Sequence, residues 1–502
     1  MDFTATLDKH APRTILCSFI VVTACKVLLF PAYRSTDFLV HRHWKSLTRE
    51  FHVTEWYHDR VETVHTLDYP PGFAFFEYFL ANNPVTSFFL SREYIDARCL
   101  RCWSDNDIQQ APEIVGASCV NFMRASVVVS DILLWLGAWS AANSCDNVKR
   151  RLVVFFALVL HPALLWLDHV HFQYNGFLLG LLMLSISGLL KGNRVKDGSK
   201  EFHFLHLSAA ACFSLLLTMK HLYLTLSPWY FVYLLRRYCC VNGKLNFNRF
   251  LSLGGSTITV LLLPFCPWLL TSSPGIEWRQ ITLRLFPFDR GLVHDYWAGN
   301  VWAFWAAMQK IVGLVSSQRI TEPTPGCVAL CLLASLIPGA YRAHIAAMKQ
   351  SNQELLISLA YCALASFMFA YHVHEKAIAT ALVPLTILYL GYEIADPSLI
   401  WVINAFALLG LFPLFFKSTE LFLKLSTFTG YLAFLASSTS RQASKAVTVP
   451  TMIMVSIGIL VFEVVPPSMF GKYEFIPLAV VSLLTAAGLC RCFATMLFMP
   501  YS

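Results

Sequence analysis

Residues 168–191 read DHVHFQYNGFLLGLLMLSISGLLK, a short polar segment that runs directly into a long apolar one. The apolar part, 175–191, has the length and composition of a helix that crosses a membrane. The polar part carries one acid and two histidines next to that apolar run. Ionisable groups are costly at membrane depth and are rare there unless they serve a function. This stretch therefore predicts a membrane helix with a polar, functional segment at its end.

The rest of the chain repeats this alternation, and its composition is that of a membrane protein. Of its 502 residues, 56% are hydrophobic and only 14% are charged, whereas soluble globular proteins carry about 25% charged residues. This composition excludes an ordinary soluble enzyme and also an intrinsically disordered chain. The net charge of +8 is spread along the chain, without a basic cluster among stacking aromatic residues, which excludes a nucleic-acid partner.

Apolar runs with the length of membrane-spanning helices recur along the whole chain. They predict an all-α polytopic membrane protein with about 14 transmembrane helices, which form a single integral membrane domain over residues 1–502. Internal repeats and low-complexity tracts are absent from the sequence. The runs are 14–33, 119–142, 152–167, 175–191, 205–219, 222–236, 250–271, 326–341, 353–371, 377–393, 399–416, 419–437, 448–464 and 475–494.

Lysine and arginine concentrate in five of the gaps between these runs, and this asymmetry predicts the orientation of the chain. The positive-inside rule places such gaps in the cytosol. The apolar segment 300–315 is predicted to be a helix that does not span, because a span there would move the basic gap 342–349 to the other side. Both termini then lie in the cytosol, and two large loops, 34–116 and 272–325, lie on the opposite face. The five basic gaps are 149–151, 191–200, 236–249, 342–349 and 441–445.

The non-cytosolic face collects polar segments that are far apart in the sequence. The loop 34–116 alone contains 12 of the 30 acidic residues of the chain, which predicts a polar structure with helices at the membrane interface. Because several segments rich in histidine and acid share one face, they indicate a functional site. The segments are 35–44, 66–77, 168–176 and 372–376, and the loop 281–297 adds Arg284 and Arg290.

Each segment also has a purely structural interpretation. Ser35 and Asp37 suit the N-cap of a helix, and Asp68, before two prolines, suits the start of another. The segment 168–176 is compatible with a hairpin between two spans, and 372–376 is compatible with a joint between two helices. The sequence of each segment by itself leaves these alternatives open.

Histidine and cysteine pairs raise the question of a metal. The sequence contains two His-x-His pairs, one of them His372 and His374, and one Cys-x-x-Cys pair, Cys99 and Cys102. Neither a His-Glu-x-x-His motif nor a second Cys-x-x-Cys pair accompanies them. We therefore predict that the site binds no metal. On an oxidising face, a disulfide between Cys99 and Cys102 is an alternative role for the cysteine pair.

Five strings in these segments together resemble one enzyme family over roughly residues 14–395. It is the family of dolichyl-phosphate-glucose-dependent α-1,3-glucosyltransferases of endoplasmic reticulum N-glycan precursor assembly, which are C-type glycosyltransferases of family 57. The residues around Asp37, together with Thr66-Leu67 and Phe76-Glu77, look like the members that add the second glucose. The strings are Asp37-Phe38 with Arg42-His43-Trp44, Leu67-Asp68-Tyr69-Pro70-Pro71, His171-Phe172-Gln173-Tyr174-Asn175-Gly176, Arg284-Leu285-Phe286-Pro287-Phe288 with Arg290-Gly291, and Val373-His374-Glu375-Lys376.

The resemblance implies an inverting transfer, because the family's donor is a β-linked glucosyl phosphate and its product is α-linked. The phosphate leaves without protonation, so the reaction needs one carboxylate base and cations around the phosphate, and no cofactor. The resemblance implies that Asp37 is the base, with Asp68 as the second candidate. It assigns the donor phosphate to His374 and Lys376, to which charge alone adds Arg284 and Arg290. The acceptor is assigned to Asp68, Tyr69 and Glu77.

The expected substrates are dolichyl phosphate glucose and a dolichyl-diphosphate-linked oligosaccharide, Glc1Man9GlcNAc2. The expected location is the endoplasmic reticulum membrane, with the active site in the lumen. One alternative is the family's first glucosyltransferase, which acts on Man9GlcNAc2. Another class is a secondary transporter, which usually shows internal repeats and helices broken at mid-membrane; neither is visible in the sequence.

Overall fold

A computed structural model describes residues 3–501 apart from 59, 111, 146, 272–273, 287, 295, 317–319, 393, 395, 416 and 440–442. Two residues of the predicted basic gap at 441–445, Arg441 and Gln442, lie outside the described residues. The described chain is almost entirely helical, and its only strands, Cys240–Val241 and Lys244–Leu245, form one antiparallel hairpin.

The α-helices of the described chain are numbered in sequence order. The first half contains α1 (Phe3–Leu28), α2 (Thr36–Glu50), α3 (Pro71–Asn82), α4 (Pro84–Ser91), α5 (Asp105–Gln110), α6 (Ala117–Ala142), α7 (Val148–Val159), α8 (Pro162–Leu164), α9 (Asn175–Gly192), α10 (Lys200–Met219) and α11 (Ser227–Leu234). The second half contains α12 (Phe247–Leu262), α13 (Cys266–Leu269), α14 (Pro274–Leu285), α15 (Val301–Ser316), α16 (Pro325–Lys349), α17 (Asn352–Phe369), α18 (Ala379–Gly391), α19 (Ser398–Gly410), α20 (Leu421–Ser438), α21 (Lys445–Ile459) and α22 (Ile476–Leu497).

Ten helical segments in the described part of the chain are long and apolar enough to cross a membrane. They coincide with ten of the predicted runs, which confirms an all-α polytopic membrane protein. The other four runs are helical too, but shorter or interrupted; in 222–236, for example, α11 lies between a 3-10 turn (His221–Leu226) and a π-helix (Leu235–Cys239). The count of fourteen spans stays a prediction. So does the non-spanning role of α15, which has 16 residues.

The core consists of helices that are surrounded by other helices. All 13 residues of α18 are buried, as are 15 of the 18 residues of α17. By contrast, no residue of α12 is buried, so this helix lies at the periphery. Small residues allow the closest helix contacts: a Cβ atom on Gly137 of α6 would lie 2.5 Å from the carbonyl oxygen of Gly180 in α9.

The segment between α1 and α6 contains the helices α2 to α5 and is held by a disulfide. Cys99, in the 3-10 turn Ala97–Leu100, is bonded to Cys119 in the first turn of α6. Cys102 remains a free thiol, so the alternative of a Cys99–Cys102 disulfide is wrong. The backbone explains the pairing, because the N–H of Asp96 donates to the hydroxyl of Ser118 and brings the two stretches together.

Candidate active site

Asp37 is the point where three of the polar segments meet. Its Oδ2 atom lies 2.5 Å from Nζ of Lys376, 2.6 Å from Nε2 of Gln173 and 3.2 Å from Nε2 of His171. The four residues come from the start of α2, the segment before α9 and the 3-10 turn before α18. All three contacts use the same oxygen, and Oδ1 has no hydrogen-bond partner among the described residues. The side chain of Asp37 is 26% exposed, so part of it is open to a ligand.

The start of α2 is built differently from the N-cap that the sequence alone suggests. Ser35 occupies the N-cap position, but its side chain makes no capping hydrogen bond. Its hydroxyl donates instead to the carbonyl of His171. Asp37 therefore lies inside the first turn, where the helix N-terminus favours a negative charge. The N-cap residue joins α2 to the polar segment before α9.

The charge state of Asp37 follows from its neighbours. Burial by itself would raise the pKa of this carboxyl, but the ammonium of Lys376 and the hydrogen bond from His171 outweigh it. The pKa of Asp37 consequently lies well below its usual range. The residue is a carboxylate at neutral pH, as a general base must be.

A π-helix (Leu165–His171) and a sharp turn aim His171 and Gln173 at Asp37. The turn is at Phe172, which has a positive φ of 85°. Asp168 stabilises the turn: its Oδ1 accepts the backbone N–H and the side-chain amide of Asn175, and its Oδ2 accepts the N–H of Gly176. The segment is thus a rigid loop rather than a simple hairpin.

Arg124, which the sequence did not single out, joins this loop to the segment between α1 and α2. The side chain is buried in α6, and it donates to the carbonyls of Tyr33, Val170 and His169, the first two at 2.7 and 3.1 Å. It fixes the backbone on both sides of the contact between Ser35 and His171. A charge inside the apolar run 119–142 was the signal in the sequence, because such a charge needs buried partners.

Glu77 lies behind the candidate site rather than in it. Its side chain has no exposed surface, and its oxygens accept from Nζ of Lys45 at 2.5 Å and from the ring of His41 at 2.7 Å. Burial raises the pKa of Glu77, but Lys45 and His41 outweigh it, so the net pKa is lowered. Lys45 also donates to the hydroxyl of Tyr174. This placement does not support the predicted contact between Glu77 and the acceptor.

Asp68 and Arg290 form an ion pair that links the two large loops. Their Oδ2 and NH1 atoms are 3.0 Å apart. Burial raises the pKa of Asp68 despite the opposing effect of Arg290. Asp68 does not cap α3, because that helix begins at Pro71 with Pro70 in the N-cap position. Tyr69 follows in the same segment, and its carbonyl accepts from the hydroxyl of Tyr57 at 2.7 Å.

Arg284 lies apart from these contacts. It lines a small cavity in the loops, whose other walls include Trp56, Tyr57, Thr66 and Leu67. No described contact joins it to Asp37 or to Lys376. The structure therefore brings Asp37 and Lys376 together and pairs Asp68 with Arg290, and it leaves Arg284 at a separate position.

His374 and Glu375 form a second polar cluster with His294. Their nitrogen and oxygen atoms lie within 4.8 Å of one another, a spacing that suits a metal ion. Burial, with the charges of His294 and Lys376, holds the pKa of His374 well below its usual range, so this ring is neutral at neutral pH. Burial also raises the pKa of Glu375, whose two oxygens have no hydrogen-bond partner among the described residues. The absence of a metal stays a prediction.

Lys220 is a further cation that the sequence analysis missed. It follows the last residue of α10, and its Nζ atom lies 5.0 Å from the centre of the Tyr69 ring. Burial and the charge of Lys376 lower its pKa to about 8. The gap between the two predicted spans is only two residues long there, so no loop was visible in the sequence.

Comparisons with known families and with individual proteins both lead to the same group of glycosyltransferases. Residues 22–496 match the ALG6, ALG8 glycosyltransferase family. A protein of Arabidopsis thaliana named dolichyl pyrophosphate Glc1Man9GlcNAc2 alpha-1,3-glucosyltransferase is 32% identical, over 96% of this chain and 97% of its own. Proteins of the same name from Bos taurus and Schizosaccharomyces pombe are also 32% identical, over 93% and 96% of this chain and 92% and 97% of their own.

Proposed function

The chain belongs to the ALG6, ALG8 glycosyltransferase family, and from this premise we propose that it adds the second glucose to a lipid-linked oligosaccharide. The donor is dolichyl phosphate β-glucose, and the acceptor is Glc1Man9GlcNAc2 on dolichyl diphosphate. The product carries an α-1,3-linked glucose, so the anomeric carbon inverts. The named relatives carry this acceptor in their names, which favours it over Man9GlcNAc2, and membership in a glycosyltransferase family favours an enzyme over a transporter.

The observation that carries the mechanism is the convergence on Asp37. Gln173, His171 and Lys376 all hold Oδ2, which orients the carboxylate and leaves Oδ1 for the substrate. In the reaction, Oδ1 takes the proton of the acceptor 3-hydroxyl as its oxygen attacks the anomeric carbon. The bond to the donor phosphate breaks on the opposite face, and the phosphate leaves as an anion. A positioned base of this kind contributes about 10²–10⁴-fold to the rate.

In this scheme, Lys376 interacts with two anions in turn, the carboxylate of Asp37 and the donor phosphate. Without substrate, its ammonium is bound to Asp37 at 2.5 Å. A donor phosphate brings a second negative charge to the same place and competes for the ammonium. As Lys376 turns towards the phosphate, Asp37 loses a cation that lowers its pKa, so it becomes a stronger base when the donor is bound. His374 is neutral, and it contributes a hydrogen bond to the phosphate rather than a charge.

The proposed location is the membrane of the endoplasmic reticulum, with the site in the lumen and both termini in the cytosol. The Cys99–Cys119 disulfide supports this orientation, because disulfides persist in oxidising compartments and are rare in the cytosol. The segment that contains the disulfide also contains Asp37 and Asp68. The dolichyl chains lie in the surrounding lipid and against the apolar helix surfaces.

A transfer assay with purified protein tests the function. Dolichyl phosphate glucose is supplied with either Glc1Man9GlcNAc2 or Man9GlcNAc2 on a dolichyl-like diphosphate. We expect glucose transfer to the first acceptor only, because a site that hydrogen-bonds the extra glucose leaves polar groups unpaired with the shorter one. That penalty can reach about 10⁴-fold. Equal rates with both acceptors, or transfer only to Man9GlcNAc2, would contradict the assignment.

A further inference from the structure

Lys220 lies next to the candidate site, and the proposed reaction gives it no role. The lysine lies at the junction of α10 and the 3-10 turn His221–Leu226, and its ammonium stands over the ring of Tyr69. Tyr69 directly follows Asp68, which is paired with Arg290. The ammonium therefore projects into the same region as the two candidate bases.

Lys220 differs from the other cations of this region because its ammonium is not bound to an anion. Lys376 is paired with Asp37, Arg290 with Asp68, and Lys45 with Glu77. Among the described residues, Lys220 has neither an ion pair nor a hydrogen bond from its ammonium. Because Lys220 is half-buried and its Nζ atom is not enclosed, an anionic ligand can reach this ammonium.

A small apolar cavity lies between the segments that follow the two lysines. Its walls include Leu222 and Tyr223, after Lys220, and Ala377 and Thr380, after Lys376. Neither lysine is part of its wall, and its volume of about 20 Å³ has room for about one water molecule. The two lysines therefore lie on neighbouring segments, and a ligand that reaches them binds outside this cavity.

We propose that Lys220 is a phosphate-binding residue, whose ammonium contacts an oxygen of a polyprenyl phosphate. The inference rests on the proposed function, because that function brings two such lipids to the site. The shared chemistry is a phosphate attached to an isoprenoid chain. Its source is the donor monophosphate or the acceptor diphosphate.

The charges around Lys220 are consistent with this role. Asp37, Asp68 and Asp168 attract the ammonium at longer range, and Lys376 repels it. Burial and that repulsion bring its pKa to about 8, so part of the population is neutral at physiological pH. A phosphate between Lys220 and Lys376 would separate the two like charges and stabilise both as cations.

The experiment compares Lys220→Met, which keeps the length of the side chain, with Lys220→Arg, which keeps its charge. Lys310→Met is the matched control, because Lys310 also lies over an aromatic ring, that of Phe475, but is exposed on α15. The first readout is the thermal stabilisation of each protein by farnesyl phosphate, with farnesol as the probe that lacks the phosphate. Ligand binding to the folded state raises Tm.

We expect farnesyl phosphate to stabilise the wild type, Lys220→Arg and Lys310→Met, and to lose most of this effect with Lys220→Met. In transfer assays, Lys220→Met should raise one KM by about 10- to 100-fold, the usual weight of a hydrogen bond to a charged group. A rise in the donor KM assigns Lys220 to the monophosphate, and a rise in the acceptor KM assigns it to the diphosphate.

An unchanged response of Lys220→Met to farnesyl phosphate, with both KM values unchanged, would overturn the inference. Reduced activity with unaltered binding would also overturn it, because Lys220 would then act only as a counter-charge for the carboxylates. Absence of transfer by the wild type would refute the proposed function instead. The two failures are therefore distinguishable.

Discussion

At the scale of the residue, Asp37 combines a proposed catalytic role with a structural one. It lies in the first turn of α2, and one of its oxygens is held by three side chains from other parts of the chain. The amide of asparagine has nearly the same shape and retains one carbonyl oxygen for those contacts. The substitution by asparagine therefore separates the two roles of this residue.

Asp37→Asn should reduce transfer by about 10²–10⁴-fold, because it removes the proton acceptor. The fold should lose less than with Asp37→Ala, since the amide still suits a helix N-terminus and keeps one oxygen for Lys376. The measurement is kcat together with Tm for purified protein. Near-normal turnover of Asp37→Asn, with an unfolded Asp37→Ala, would mean that Asp37 is only structural, and Asp68 would become the candidate base.

Glu77→Gln should destabilise the protein without a selective effect on the acceptor. The substitution leaves the buried ammonium of Lys45 without its counter-charge, and breaking a buried pair in this way costs about 3–5 kcal/mol. Tm is measured for this variant and for Glu93→Gln, an exposed glutamate in the same segment. A raised acceptor KM with unchanged Tm would restore the predicted acceptor contact.

At the scale of the element, the short polar loops carry the geometry of the site. The loop before α9 has a π-helix, a positive φ at Phe172 and a carboxylate, Asp168, that holds the next turn. Arg124 fixes this loop against the segment between α1 and α2. The site is therefore positioned by backbone contacts, and its precision depends on residues that touch no substrate.

Arg124→Lys should lower kcat by about 10²-fold, because a misplacement of about 1 Å can have that effect. A lysine keeps the charge but cannot donate to several carbonyls in the geometry of the guanidinium. The donor KM should change little, which identifies Arg124 as a positioning residue. Arg98→Lys serves as the control, because Arg98 is exposed and lies in the 3-10 turn Ala97–Leu100 before α6. Equal kcat for both variants would contradict this role.

The joint before α18 raises the metal question again, since His294, His374 and Glu375 have the spacing of metal ligands. We expect activity to survive EDTA with little loss, because the proposed mechanism holds the phosphate with cations of the chain. The assay follows glucose transfer before and after chelation. A collapse that zinc or manganese reverses would assign a metal to this cluster.

Features of the site that depend on neighbouring residues were predictable from the sequence, whereas contacts between distant residues were not. Polar segments next to apolar runs revealed the neighbourhood of Asp37, because a charge at a membrane boundary is visible in the sequence. The burial of Glu77 was not visible, since its partners Lys45 and His41 lie on another helix. The pairing of Cys99 with Cys119 was also not visible in the sequence, because spacing does not determine disulfide connectivity.

At the scale of the whole molecule, the described chain is a bundle of apolar helices, in which the ion pair of Asp68 and Arg290 joins two long segments between helices. The interior helices α17 and α18 are buried almost throughout, and α12 is not buried at all. The polar residues of the site collect at the ends of helices. The charge pattern in the sequence predicts that these residues face the lumen.

Cysteine labelling in sealed microsomes tests this orientation. Glu62→Cys and Lys196→Cys introduce thiols at exposed positions of the predicted luminal loop and of a predicted cytosolic gap. A membrane-impermeant reagent should label position 196 directly and position 62 only after permeabilisation. The unsubstituted protein corrects for native thiols. Labelling of both positions from the same side would refute the predicted orientation.

The contact between Asp37 and Lys376 sets the order of events during biosynthesis, because the two residues are 339 positions apart in the chain. The ribosome completes the segment around Asp37 early, and every helix from α6 to α17 must be made before Lys376. Asp37 therefore lacks its cation until 376 of the 502 residues have been made. A nascent chain interrupted before residue 376 contains the segment around Asp37 but not the ion pair that holds its side chain.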